Sequence, residues 1–454
     1  VITAAVSQGS ARADAVDDLL TSEIHKRHVP GLSVAVLRDG KIIKTGAYGF
    51  ADLELNVPVS PTSVFQIQSI TKTFTAAAVL MLVEEGKIAL DDPISKHLEG
   101  TPDSWKNITI RHLLTHTSGI RDFINEPTAS LRLDVTETEV LEAMAAVPLK
   151  FTPGERYAYS NTNYHLLAMI LRKHTGKWYG DFLAERIFAP LGMTNTRPVN
   201  LKAIIPGRVS GYLWTGQGYR RGEFIAESIL SYGGGGVLST APDMALWAEA
   251  MLSAKLLKPE TIREAWTPAR FNNGGTSTYG LGWAIASVAG HREVNHGGAH
   301  GTGFTSFLAI YPEDRLAVVV LLNRTGIDPS QIARLVASIY IPELMPHAEK
   351  SVADADPKTT AFLREIIEKT IKSGLDESWF TPEMWKNLAP RKDEINADVK
   401  TLGAFKSLEL LSRTGSGDQC TSRYRAVFAN STVSIALRLD TNGRVSFLES
   451  NKEQ

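Results

Sequence analysis

The chain has 454 residues and a formal net charge of −1, so it carries no general attraction for nucleic acid or for an anionic membrane surface. With 43% hydrophobic and 21% charged residues it has a globular composition, enough for two or three cores at roughly 150 residues per domain, and no apolar run approaches the ~20 residues needed to span a bilayer. Its single cysteine, Cys420, excludes an intrachain disulfide and any multi-cysteine metal site.

The first thirteen residues include an A-x-A pattern at Ala11 and Ala13. It reads as the remnant of an export signal, implying a periplasmic or secreted protein, or else as a disordered Ala/Ser-rich start. Residues 14–28 predict a helix, with Val16, Leu19, Leu20 and Ile24 at helical spacing. "GLSVAVLRDGKIIKTGAYGFADLE" predicts a hairpin around Asp39-Gly40. An apolar helix follows, beginning near Ser69 and closing at Gly86. Residues 88–200 predict a helical block broken at Pro93, Pro127, Pro148 and Pro153. Strands return after about residue 205, most clearly in "GFTSFLAIYPEDRLAVVVLLN", and "SQIARLVASIY" predicts a closing helix.

Strands at both ends of residues 14–345 imply one antiparallel sheet flanked by helices, an α/β fold with an all-helical insertion. Residues 346–357 read as a linker, within the proline-containing "PELMPHAEKSVADADPK". Residues 358–454 predict a separate α+β domain. It has helices over "TTAFLREIIEKTIKSG" and "TPEMWKNL", then three or four strands with a turn at Asn442-Gly443.

Three stretches bear on chemistry. Ser69 and Lys72 stand three apart, one helical turn, just ahead of a run too apolar for a surface. A buried lysine at a helix N-terminus loses its proton more readily, and a neutral amine can take the serine proton for attack on a carbonyl. The plain alternative is a capping serine with a surface lysine. Tyr159-Ser160-Asn161 precede another apolar helix; a tyrosine can shuttle a proton, and an asparagine can hold a substrate amide, or both can simply pack and cap. His296-Gly297-Gly298-Ala299 run between strand-like segments. Glycine there marks close approach of a ligand or chain, and an edge strand would offer N–H groups to a carbonyl.

In this order the three elements resemble the serine β-lactamase and penicillin-binding-protein superfamily, in its branch of class C β-lactamases, D,D-carboxypeptidases, D-aminopeptidases and carboxylesterases. "ITIRHLLTHTSGI", "FTPGERYAYSNTNYHLL", "IFAPLGMTNTR" and "GGGGVLSTAPDMALWAEAML" carry the likeness across about residues 14–345. The resemblance implies a β-lactamase/transpeptidase-like fold and an acyl-enzyme mechanism without metal or organic cofactor. Ser69 would be the nucleophile, and Lys72 and Tyr159 would jointly carry protons. Asn161, His296, Gly297 and Gly298 would bind substrate, and the backbone N–H groups of Ser69 and Ala299 would form the oxyanion hole.

Substrates would be small amides or esters: D-amino-acid peptides, β-lactams or short acyl esters. Two alternatives share the same serine, a promiscuous carboxylesterase with little β-lactam turnover and a penicillin-recognising protein that does not turn over. His296 fills the place of the lysine in Lys-Thr-Gly and is only partly charged near neutral pH, which weakens binding of a substrate carboxylate. Gln68 is larger than the small residue expected before the nucleophile. The C-terminal domain resembles, by element order alone, a nuclear-transport-factor-2-like module that would support a homo-oligomer or shape the cleft mouth.

Other patterns carry less. His112 and His116 have zinc-like i, i+4 spacing but no third ligand, and read as structural. "YGGGGVLST" lacks the ending of a phosphate loop and reads as backbone near the cleft. Cys420 reads as a packing thiol.

Overall fold

The structure is a computed structural model that describes residues 8–126, 131–230, 232–345, 351–415, 417 and 420–453. It forms two compact units, residues 1–345 and 346–454.

The first unit is organised by a seven-stranded sheet. Its strands are β1 (Gly31–Arg38), β2 (Lys41–Asp52), β3 (Val57–Pro58), β4 (Ala284–Val288), β5 (His291–His300), β6 (Phe304–Tyr311) and β7 (Leu316–Leu322), in the order β3-β2-β1-β7-β6-β5-β4. β1 and β7 pair antiparallel in the middle, from Leu32 opposite Leu322 to Arg38 opposite Leu316. The central strands β1, β6 and β7 are buried almost throughout because helices cover both faces. Helices α1 (Gln8–Lys26) and α6 (Pro329–Tyr340) close one side. There Val16 and Leu20 of α1, and Ile332, Ala333, Val336 and Ala337 of α6, meet Leu32, Val34, Val36 and Val318. Asp328 starts α6, its carboxylate accepting from the Ser330 N–H at 2.9 Å with Pro329 in the first turn.

On the other face lie α2 (Thr71–Glu84), α4 (Asn161–Thr175) and α5 (Ala241–Leu252), with the short α3 (Ile110–Leu114) and the rest of the helical block. Every residue of α2 from Thr71 to Leu82 is buried, as expected of a helix apolar on all sides. Gly86, at φ +68°, ends it.

In the second unit α7 (Pro357–Ser373), α8 (Pro382–Leu388) and α9 (Lys392–Thr401) precede an antiparallel meander of β8 (Phe405–Thr414), β9 (Thr421–Phe428), β10 (Thr432–Leu439) and β11 (Val445–Glu453). Leu363, Ile366, Ile367, Trp379, Tyr424, Ile435 and Leu437 belong to its own core.

Several expectations need adjusting. α1 begins at Gln8, so Ala11 and Ala13 lie in a helix, consistent with the helix preference of alanine; residues 1–7 lie outside the described residues. Ser69 does not open the long helix but sits in a 3₁₀ turn, Gln68–Ile70, just before it. His296 is inside a ten-residue strand, not at the end of a short one, and this strand is not the sheet edge, because β4 lies beyond it. Of the expected linker, residues 346–350 lie outside the described residues, and the Val352 N–H already bonds to the Leu410 carbonyl at 2.8 Å. α9 was not expected.

Candidate active site

The Gln68–Ile70 turn carries Ser69 against β5. Gln68 takes a left-handed backbone, φ +51°, unfavourable for a residue with a Cβ. Its side chain, 3% exposed, is held by two bonds: Nε2 donates to Thr302 Oγ1 at 2.8 Å and to Gln66 Oε1 at 3.0 Å. From β6, Ser306 donates to the Ile67 carbonyl at 2.7 Å. The size of Gln68, unexpected in the sequence, thus serves to fasten the turn.

Of the two glycines of β5, Gly298 is the one the packing requires. A Cβ there would stand 2.3 Å from the Ile67 carbonyl oxygen and 2.5 Å from Ser306 Oγ, so only glycine lets strand and turn meet. β4 pairs with β5 only as far as Asn295 opposite Ala284. Among the described residues β5 has no strand partner on that side from His296 on, so although β5 is interior to the sheet, its last residues are a local edge beside the Gln68–Ile70 turn.

Four expected side chains converge. Lys72 Nζ lies 3.2 Å from Ser69 Oγ, 2.8 Å from Asn161 Oδ1 and 2.7 Å from the Gly234 carbonyl. The Tyr159 hydroxyl donates to Ser69 Oγ at 2.9 Å. Lys72 is 0% exposed, and burial pulls its pKa down to about 7, against a smaller opposing pull from Asp122. Tyr159 moves the other way: burial raises its phenol well above the usual range, partly offset by the bond to Ser69. Near neutral pH the amine, not the phenol, is the group ready to accept a proton.

Asn161 is placed between Lys72 and Asp122, to which its Nδ2 donates at 3.0 Å. The "YGGGG" stretch supplies the Gly234 carbonyl, backbone at the site as expected. His296 is 4% exposed with both nitrogens engaged. Tyr279 OH donates to Nε2 at 2.8 Å, and Nδ1 donates to the Gly297 carbonyl at 2.7 Å. Burial first, then the charge of Lys72, pushes its pKa down to about 3. The expectation of a partly charged imidazole is therefore corrected: His296 is neutral at physiological pH.

Three further residues belong to this neighbourhood. Asp122 backs Asn161. Tyr279 covers Nε2 of His296, whose tautomer is fixed by the Gly297 carbonyl on Nδ1. His116, read as scaffold, lies against the Tyr159 ring with centroids 4.3 Å apart, and its Nδ1 accepts the Ser160 N–H at 3.2 Å. His112 does serve the scaffold, completing a capping box with Thr109 at the start of α3. Cys420 is half-buried and receives Arg413 Nε at 3.2 Å. Among the described residues no cluster of His, Cys, Asp or Glu could hold a metal ion, and no helix is long and apolar enough to cross a membrane.

A serine hydroxyl shared by a buried amine and a phenol, beside a free strand edge, marks an active-site-serine hydrolase. The family model "Beta-lactamase" matches residues 13–340, and the chain belongs to that family. It is 28% identical over 376 residues to penicillin-binding protein 4* of Bacillus subtilis, spanning 78% of this chain and 82% of that protein. It is 27% identical to protein flp of Staphylococcus aureus over 75% of this chain, spanning 66% of that protein's length. Among solved structures, D-amino acid amidase from Ochrobactrum anthropi is similar at a TM-score of 0.63 and 27% identity, over 74% of this chain and 97% of that one. The octameric penicillin-binding protein homologue from Pyrococcus abyssi shares the fold at a TM-score of 0.63 and 23% identity, over 97% of this chain and 96% of that one. The reaction class is serine-based hydrolysis of small amides or esters.

Proposed function

We propose that the protein hydrolyses small amides and esters that bear no carboxylate beside the scissile bond, through an acyl-enzyme on Ser69. Lys72 takes the Ser69 proton as Oγ bonds to the carbonyl carbon. The N–H groups of Ser69 and Ala299 receive the developing oxyanion, each such donor being worth about 3 kcal/mol. As the tetrahedral species collapses, Tyr159 gives its proton to the departing nitrogen or oxygen and is reprotonated from Lys72. Water then repeats the sequence in reverse and frees the acid.

The neutrality of His296 carries the substrate assignment. A carboxylate next to the leaving group would be desolvated there with no fixed cation at this position. D-Amino-acid amides and short acyl esters fit this site better than β-lactams or peptides with a free C-terminus, and the likeness to a D-amino acid amidase favours the amides. Initial rates with a nitrophenyl ester, D-phenylalaninamide and a penicillin test the reading, alongside intact mass. The two substrates without a carboxylate should turn over at least about a hundredfold more efficiently than the penicillin. Equal efficiencies would overturn the substrate class, a stable penicillin adduct without turnover of any substrate would make this a sensor, and full activity in Ser69→Ala would remove the nucleophile.

The C-terminal unit we read as a nuclear-transport-factor-2-like module serving self-association, a reading favoured by the octameric Pyrococcus homologue. Solution mass with and without residues 346–454 tests it. An exported location accords with the penicillin-binding relatives, since penicillin and wall peptides are met outside the cytoplasm; cell fractionation tests that.

A further inference from the structure

Asp122 is 4% exposed. Its Oδ1 accepts the Asn161 N–H at 3.1 Å and the Ile124 N–H at 3.4 Å. Its Oδ2 accepts Asn161 Nδ2 at 3.0 Å and Asn125 Nδ2 at 2.9 Å. Among the described residues no Lys, Arg or His forms an ion pair with it. A buried carboxylate held only by amides is costly, and its placement has a consequence one residue away.

An ionised carboxylate only accepts hydrogen bonds. It therefore compels Asn161 to turn Nδ2 toward it and Oδ1 toward Lys72. A neutral lysine amine has two N–H bonds and one lone pair. The Gly234 carbonyl and Asn161 Oδ1 can only accept, so they take both N–H bonds. The lone pair is left for Ser69 Oγ, 3.2 Å away. With the Asn161 amide reversed, Nδ2 would donate to Lys72 and occupy that lone pair.

We propose that Asp122 is a positioning residue for the reaction, holding the Asn161 amide so that the lone pair of Lys72 faces Ser69. This rests on the reading of Lys72 as the base. The titratable groups around Lys72 are Tyr159 and Tyr164, with ring centroids 4.8 and 5.4 Å from Nζ, and His116, His296 and His300, which feel its charge. Burial holds the three histidines below their usual range and the two tyrosines above theirs. Tyr159, Tyr232 and His300 in turn feel the charge of Asp122. Of these groups Asp122 is the one that favours the ammonium form of Lys72.

The test compares wild type, Asp122→Asn and the exchange Asp122→Asn/Asn161→Asp on a nitrophenyl ester across pH, with thermal melts. Asp122→Asn puts an NH₂ against a donor and lets Asn161 reverse. Its kcat should fall about a hundredfold with KM within about twofold, and the acid limb of the pH profile should move to lower pH. The double exchange restores donor to acceptor but sets a carboxylate on Lys72. It should recover at least about tenfold of the lost kcat at high pH, with the acid limb above that of wild type. A folded Asp122→Asn with wild-type kcat and limb, or with a loss that follows its folded fraction and an unmoved limb, overturns the proposal. So does a double exchange with the wild-type limb, or failure of both variants to fold. Inertness of the wild type, or activity of Ser69→Ala, would instead overturn the proposed function.

Discussion

Gln68 Nε2 donates to Thr302 Oγ1 at 2.8 Å, which ties the residue before Ser69 to the turn that follows β5. The two segments expected to form the oxyanion hole are thus braced against each other by one side chain. Removing it should both strain and loosen the site. Gln68→Ala keeps the unfavourable φ of +51° while losing one buried and one part-buried bond, so a stability loss of about 1–3 kcal/mol is expected. kcat should fall about tenfold with KM nearly unchanged, since the lost support matters most where the oxyanion forms. Denaturant melts and ester kinetics on the same preparation measure both.

Lys72 should make stability and activity climb together with pH. Its pKa is about 7 in the fold against an ordinary 10.5. Between those values the unfolded chain binds more protons than the folded one, so wild-type stability rises with pH across that window. Below pH 7 the folded state bears the full penalty of an ammonium without water. Relative to Lys72→Met, which has no such proton, wild type should gain up to about 5 kcal/mol between pH 7 and 10.5. Urea unfolding of both proteins at several pH values reads this directly, and the acid limb of kcat/KM should have its midpoint near 7.

The neutrality of His296 predicts a specificity change. His296→Lys should raise the efficiency for penicillin relative to a nitrophenyl ester by about tenfold at pH 6. The gain should shrink toward pH 8, because burial will depress the new lysine as it does Lys72. Replacing His296 by Gln should leave the ratio unchanged, since neither residue brings a charge.

Gly298→Ala should be the most damaging single-methyl change in the site. The added carbon would stand 2.3 Å from the Ile67 carbonyl oxygen, and a backbone atom cannot swing aside as a side chain can. β5 must then withdraw from the Gln68–Ile70 turn. A loss of about a hundredfold in kcat is expected, with a circular dichroism spectrum like that of wild type.

How much of this could be read from the sequence depended on whether a contact was local. Ser69 and Lys72 declare themselves because one helical turn both spaces and joins them, and Tyr159 and Asn161 are two apart at the start of one helix. Asp122 gave no such sign. It is a single acidic residue whose partner lies on another element, and nothing in "GIRDF" announces that pairing. The charge of His296 was equally out of reach, because it is set by burial and then by Lys72 across the site.

Composition hid two elements in different ways. β4, "AIASV", is short and only half-buried, with alanine and serine where a strand signal wants branched residues. α9, "KDEINADVKT", buries no residue fully, so its apolar stripe is thin. The central hairpins were legible because Asp39-Gly40 and Pro312-Glu313-Asp314 punctuate long apolar runs.

The pairing of β1 with β7 also governs when this enzyme can exist. During synthesis β1 waits, one flank bare, while the whole helical block is made, because its partner begins only at Leu316. That flank, Leu32 to Leu37, is fully apolar apart from Ser33, and a long apolar strand edge invites association with other chains. Closure across so great a sequence separation is slow. Ser69 and Ala299 both lie between β1 and β7 in the chain, and β5, which carries Ala299, reaches β1 in the sheet through β6 and β7, so until β7 is made Ala299 has no place on the sheet beside Ser69. Ser69 and Ala299 come together only when the sheet is sealed, and a partial translation product should aggregate rather than hydrolyse.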